Sequence, residues 1–215
     1  STPHDPSEAI LGGGIWLLDK GVRPDDIEFF CHGTTVGTNA LLEGKGAKTG
    51  LLVTEGFRGI YEVQEQSVPY GPTIFNMFYD KPSKLAPQSL TGEVKERVDF
   101  QGNVLTPLDE AALRETVRRL KKRGIQSLAV CLLFSFLHPD HEQRVREIVR
   151  EEMPEVSVSL SSDVLPQIRE YFRLSTTVIN AYLQPVLERY IANLGKRLLE
   201  AGVRTRKRYI MQSNG

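Results

Sequence analysis

With two cysteines, one tryptophan, three methionines and no net charge, the 215-residue chain lacks several of the features that would announce a function. Cys31 and Cys131 stand alone, each in an apolar strand-like run, so the expectation is two buried, reduced thiols rather than a disulfide framework. Neither has a sequence neighbour that would depress its pKa, which argues against a catalytic thiol. Equal counts of Lys+Arg and Asp+Glu, 27 each, leave no global field to attract nucleic acid or an acidic membrane surface. No apolar run is long enough to span a bilayer, and Ser1 onward does not read as a signal peptide. There is no internal repeat and no low-complexity tract. One tryptophan and strong sheet signals argue against an all-helical binding module.

What remains is the make-up of an ordinary globular protein, large enough for a real core in one or two domains. Residues 7–21 read as a helix stopped by Gly21, and residues 27–31 as a strand. A helix over 35–43 ends at Gly44, a strand covers 48–54, and a short helix spans 58–64. This strand–helix alternation predicts a parallel sheet with helical crossovers. Four prolines between residues 65 and 90, mixed with Tyr70, Phe75, Phe78 and Tyr79, predict an ordered excursion that packs over the sheet or acts as a lid or interface. Residues 93–99 and 104–105 flank a hairpin-like turn at Phe100-Gln101-Gly102-Asn103. Asp109 caps a helix reaching Lys122, whose basic end, Arg118 to Arg123, suits the helix dipole and a solvated surface.

Residues 125–134 are almost continuously apolar, the mark of a central strand covered on both faces. A helix follows from His138-Pro139 to Glu152, with Val145, Ile148 and Val149 inward. Residues 155–160 alternate, predicting a strand with one exposed face, and a helix over 170–201 is expected to be interrupted at Pro185, by a kink or by the start of a second helix. Residues 208–212 read as a final strand.

The most informative stretch is Cys31-His32-Gly33-Thr34-Thr35-Val36-Gly37-Thr38-Asn39-Ala40-Leu41-Leu42. It predicts a strand, a tight turn and a helix whose opening is crowded with small and hydroxylated residues. Such a turn can aim unpaired N–H groups and Thr hydroxyls at an anion. It can equally be a capped, closely packed turn with no ligand. His32 to Leu42 closely resembles the H-G-T-T-x-x-T-N-A-L-L segment of the hydantoinase A / 5-oxoprolinase family. Further ordered matches are Gly56-Phe57-Arg58, Glu96-Arg97-Val98, residues 129–136, Arg169-Glu170-Tyr171, residues 175–182 and Met211-Gln212-Ser213-Asn214-Gly215, so the resemblance covers residues 1–215. Gly37, Phe172 and His138 depart from the family pattern, and Phe172 can alter local packing.

The resemblance implies an α/β fold: a mixed, largely parallel sheet with helices on both faces, like part of an actin, sugar kinase or Hsp70 ATPase domain. It divides the chain into a nucleotide-domain-like part (1–65), the excursion and hairpin (66–108), and an α/β part with a long helix and final strand (109–215). The family's two phosphate-clasping D-x-G-G-T hairpins are missing here. The implied object is an internal fragment of the N-terminal region of a longer subunit, inactive and without tight ATP binding alone. The complete enzyme is expected to use ATP and Mg²⁺ to open a cyclic amide of hydantoin or 5-oxoproline type, in the cytoplasm, as an oligomer with a hydantoinase B-like subunit or domain. The related acetone and acetophenone carboxylases offer a second reading, carboxylation of a ketone, and a non-catalytic folded piece is the third. No nucleic acid, membrane or protein-bound metal is expected.

Binding candidates are His32, Gly33, Thr34, Thr35, Thr38, Asn39, Arg169, Asn180, Ser213 and Asn214, with no catalytic residue assigned. His32 can meet ligand or hold the turn. Asp163, Gln167, Arg169, Glu170 and Arg173 form a polar cluster in which Arg169 can grip a carboxylate or phosphate through its planar fork. His138 and His141 share a helical face, but the first helical turn alone explains their surroundings, and no third metal ligand is evident. Thr176 and Thr177 read as packing residues and Asn180 as the better functional candidate.

Overall fold

The computed structural model describes residues 20–64, 78 and 83–211. The helix expected over 7–21 lies almost wholly outside the described residues, as do most of the proline-rich excursion and both Ser213 and Asn214. In chain order the elements are β1 (Phe30–Gly33), α1 (Val36–Leu42), β2 (Thr49–Thr54), α2 (Ile60–Val63), β3 (Thr91–Val94), β4 (Arg97–Val98), β5 (Val104–Thr106) and α3 (Glu110–Lys122). There follow β6 (Ser127–Cys131), α4 (Asp140–Glu152), β7 (Ser157–Leu160), α5 (Ser161–Val164), α6 (Glu170–Glu200) and β8 (Arg208–Met211). They fall into two compact units, one drawn from Ser1–Gly46 and Val186–Gly215, the other from Ala47–Pro185.

The second unit is built on a four-stranded, wholly parallel sheet in the order β3-β2-β6-β7. Every residue of β2 and β6 is buried, as strands covered on both faces must be. Alternation divides their side chains between two cores. Leu52, Leu128 and Val130 face α3 and α4 through Leu113, Val117, Leu120, Val145, Ile148 and Val149. Leu51, Val53, Ala129 and Cys131 face the first half of α6 through Leu174, Val178 and Ala181. The apolar run over 125–134 thus lies centrally, but only 127–131 is strand.

Local chemistry sets the ends. The Asp109 side chain accepts the Ala112 N–H at 3.0 Å and starts α3. After α1, Gly44 (φ +67°) turns left-handed, so that Lys45 N–H reaches Ala40 C=O at 2.8 Å and Gly44 N–H reaches Leu41 C=O at 3.3 Å. Between β4 and β5, Asp99 Oδ1 accepts the Gln101 and Asn103 N–H groups, both at 2.8 Å. Asn103 donors hold the Asp99 carboxyl below its ordinary pKa.

Four expectations are corrected. The first strand begins at Phe30, because Pro24–Asp26 forms a 3-10 turn and Ile27 closes it. Cys31 is exposed, since among the described residues β1 pairs only with β8 in a two-stranded sheet. β7 has no exposed residue: α4 covers one face, and Ser159 engages Asn180 and Gln184 of α6 on the other. No second helix begins at Pro185. α6 runs 31 residues with Pro185 inside it, and apolar clusters on either side of the proline (Leu174, Val178 and Ala181; Tyr190, Leu194 and Leu198) offset the missing N–H. The basic end of α3 is also more than a solvated tip: Arg118 grips Glu152 through two 2.8 Å bonds, and Lys121 reaches the Glu152 carbonyl at 2.6 Å.

Gly92 in β3 lies against α3 with no room for a side chain. A Cβ there would lie 2.5 Å from Thr116 Cγ2 and 2.9 Å from Leu52 Cδ2. Gly92→Ala is therefore expected to destabilise by roughly 1–3 kcal/mol, a fall in Tm of about 3–10 °C, read by thermal denaturation. An unchanged Tm would mean that α3 can move off the sheet without loss.

Candidate functional site

Within the first unit, β1 delivers the chain into a turn at Gly33-Thr34-Thr35 and then α1. Thr34 Oγ1 accepts the Val36 N–H at 3.2 Å, closing the turn locally. Thr35 occupies the N-cap position without a side-chain cap bond, and its hydroxyl faces solvent with Thr38 and Asn39 beside it. Asn39 Nδ2 lies 3.5 Å from Thr35 Oγ1, a weak contact. His32 Nε2 sits 2.6 Å from the Tyr190 hydroxyl. Partial burial lowers the His32 pKa from its ordinary 6.5. The neutral ring is therefore favoured at pH 7, and its contribution to stability is lost as pH falls below 6.5 through that lowered value. The arrangement brings His32, Gly33, Thr34, Thr35, Thr38 and Asn39 to the carboxyl end of one strand and the start of one short helix.

The second unit holds a different polar centre, at the carboxyl ends of β2 and β6. Glu142 of α4 is completely buried. Its Oε1 accepts the Leu132 N–H at 2.9 Å and the Ser161 hydroxyl at 2.6 Å, while Oε2 accepts the Ser162 N–H at 2.8 Å. Glu96, also buried, accepts a short hydrogen bond from Thr54 Oγ1 and lies 2.8 Å from His141 Nδ1. Thr54 Oγ1 in turn accepts the Leu133 N–H at 3.0 Å. His141 is thus tied to a carboxylate, and no group of three or more His, Cys, Asp or Glu able to hold a metal exists among the described residues. Arg173, buried on α6, donates to the Leu132 carbonyl at 2.7 Å and lies over the Phe136 ring at 5.2 Å. It borders a cavity with Thr54, Phe57, Ile60, Cys131 and Glu170.

The other sequence candidates distribute unevenly. Arg169 is exposed with φ +74°, and its carbonyl accepts the Arg173 N–H at 3.3 Å, opening α6. The guanidinium that enters the protein belongs to Arg173, one turn on. Asn180 Nδ2 donates to Ser159 Oγ at 2.9 Å, bracing α6 against β7. Asp163 pairs with Arg146 at the surface. Glu96, Glu142 and Arg173 were missed as inward groups, although each falls on a readable stripe: Val94-Glu96-Val98 at strand spacing, Glu142-Val145-Val149 and Arg173-Thr177 at helical spacing.

The hydantoinase/oxoprolinase N-terminal region matches residues 1–153, and the hydantoinase/oxoprolinase domain that follows it matches residues 173–215. The chain belongs to the hydantoinase/oxoprolinase family. Caprolactamase subunit alpha of Pseudomonas jessenii is 38% identical to it over 100% of this chain and 31% of that protein. The acetophenone carboxylase gamma subunit of Aromatoleum aromaticum is 37% identical over 94% of this chain and 30% of its own length. The crystal structure of the ATP-dependent caprolactamase of P. jessenii superposes with a TM-score of 0.87 at 37% identity, covering 97% of this chain and 31% of that one. The chain therefore spans about a third of these relatives, and its fold is that of this family.

The two thiols differ sharply. Burial pushes Cys131 up to about 11, against the weaker pull of the Arg173 charge, while Cys31 is exposed. At pH 8 a disulfide reagent should titrate one thiol per native chain at once and the second only after unfolding. Two fast equivalents would show that the Cys131 cavity opens readily.

Proposed function

We propose that this chain forms part of the larger subunit of a cytoplasmic, oligomeric, ATP-dependent enzyme that opens a cyclic amide. What carries the reading is the match along the whole chain to a caprolactamase alpha subunit, joined to a β1–α1 turn rich in hydroxyls. The β1–β8 pair, which has no further strand beside it among the described residues, adds support. Parallel strands are ordinarily buried on both faces, yet all four residues of β8 are exposed, as expected of a segment completed by other parts of a subunit. A hydantoinase B-like partner and Mg²⁺ with the nucleotide belong to the same proposal.

The donor set at the turn suits phosphate oxygens. It offers hydroxyls and a side-chain-free Gly33, with no carboxylate to repel an anion. It does not suit Mg²⁺, which prefers carboxylate oxygens, and the metal's protein ligands would lie elsewhere. When bound, ATP would supply a phosphoryl group to the amide oxygen, with ADP leaving. The chain's own residues would orient the ligand: Thr34 holds the turn, the exposed Thr35 and Thr38 would offer their hydroxyls, and His32, fixed by Tyr190, would stand beside them.

A carboxylase is the second reading, favoured by the nearly equal identity to the acetophenone carboxylase gamma subunit. Substrate-stimulated ADP release in the full-length protein separates the two, since only carboxylation requires bicarbonate. Within either reading, Thr34→Val should cost about 0.5–1 kcal/mol of stability through its lost turn bond, whereas Thr35→Val should stay within about 0.5 kcal/mol. Turnover of the folded Thr35→Val enzyme should nevertheless fall at least about tenfold if its hydroxyl meets the reacting ligand. Melting temperature and steady-state kinetics on both variants give the answer, and unchanged turnover in both would return the turn to a purely structural role.

A further inference from the structure

The Tyr190 hydroxyl ends a side chain that is 6% exposed and packed in one cluster with Leu194, Leu198 and Val203. Its one hydrogen-bond partner among the described residues is His32 Nε2, 2.6 Å away. Both groups belong to the first unit, His32 on β1 and Tyr190 on the second half of α6. A single proton lies between the two atoms, and acidity decides which of them holds it. A phenol is a far stronger acid than the N–H of a neutral imidazole, and an imidazole nitrogen is a far stronger base than a phenol oxygen. The stable arrangement is therefore the Tyr190 O–H donating to Nε2.

The ring itself is neutral at pH 7. Burial lowers the His32 pKa from 6.5, and no charged group counters it. The other neighbours are apolar: the Phe30 ring, 6.3 Å away between centroids, and Ile210 opposite His32 in the β1–β8 ladder. A neutral imidazole whose Nε2 accepts must carry its proton on Nδ1. That is the form free histidine disfavours, so the phenol is what selects it. Nδ1 has no hydrogen-bond partner among the described residues. His32 is half-buried and leads directly into the turn whose Thr35 and Thr38 are exposed.

We propose that Tyr190 is a positioning residue, whose hydroxyl locks His32 as the Nδ1–H tautomer so that the ring meets an oxygen of the bound ligand as a hydrogen-bond donor. The Nε2 lone pair is occupied and Nδ1 is protonated, so His32 does not take the proton from an attacking water. The inference rests on the reading of the β1–α1 turn as part of the ligand site.

The first test is the long-range ¹H–¹⁵N spectrum of the full-length protein labelled with ¹⁵N-histidine, the His32 signals being those lost in His32→Gln. Nδ1 should show the shift of a protonated nitrogen and Nε2 that of a bare one. Tyr190→Phe keeps the buried ring and removes the donor, and should restore the Nε2–H form. A proton on Nε2 in the native protein overturns the inference, as does a tautomer that Tyr190→Phe leaves unmoved. The native spectrum decides the tautomer by itself if Tyr190→Phe fails to fold. The second test is ADP release by the full-length protein, with caprolactam and 5-oxoproline as the amide probes. Tyr190→Phe should lower kcat/KM about five- to tenfold. A rise in KM for ATP assigns the acceptor to a phosphate oxygen, and a rise in KM for the amide assigns it to the carbonyl. Native kinetics in Tyr190→Phe overturn the positioning role. Thr35→Val separates the two ways of failing: if it slows the enzyme while Tyr190→Phe does not, this inference falls alone, and if neither does, the reading of the turn falls with it.

Discussion

A single carboxylate fastens the ends of two neighbouring strands. Glu142 takes an N–H from the segment leaving β6 and both a hydroxyl and an N–H from the segment leaving β7. In a parallel sheet these are the places where the ladder stops and backbone donors lose their partners. Burying them beneath α4 requires an acceptor with several lone pairs, and a carboxyl group provides it. Removing it would leave three buried donors, which is why a charged group can be fully enclosed here without another charge in direct contact. The positions of Leu132, Ser161 and thus of the cavity wall depend on that acceptor.

The second carboxylate works in the same layer. Glu96 joins the end of β2, through Thr54, to His141 on α4. Thr54 also receives the Leu133 N–H, so the exits of β2 and β6 are tied together by one hydroxyl. Two carboxylates, one histidine and one arginine therefore converge where loops would otherwise be loosely determined. Apolar packing fixes the middle of the sheet, and polar bonding fixes its ends.

That division explains what could be read from residues alone. The apolar period of β2 and β6, the Asp109 cap and the Gly44 stop are local signals, and the elements they mark formed where expected. The inward turn of Glu96, Glu142 and Arg173 is not local. Charged residues are rarely fully buried without partners, and their partners lie 10 to 45 positions away in sequence. Cys31 failed in the opposite sense. An apolar strand suggests burial, yet β1 has one neighbour among the described residues and its side chains alternate between half-buried and exposed. Arg169 and Arg173 show the limit most plainly. Both can form a planar fork, and only the helical phase, set by Leu174, Val178 and Ala181 against the sheet, decides which one enters the protein.

The same helical phase links packing to chemistry. α6 presents Leu174, Val178 and Ala181 to the sheet, and Arg173 sits beside that stripe rather than opposite it. Its side chain must therefore travel over the sheet's end, where carbonyls such as that of Leu132 are available. A Leu at this position would suit the apolar stripe and remove the buried charge, since burying an ionic group is often neutral or costly relative to a well-packed hydrophobic one. The placement thus carries no obvious advantage for stability by itself. What the arginine does is close the sheet's end: its Nη2 donates to the Leu132 carbonyl and the ring of Phe136 covers the cation's face.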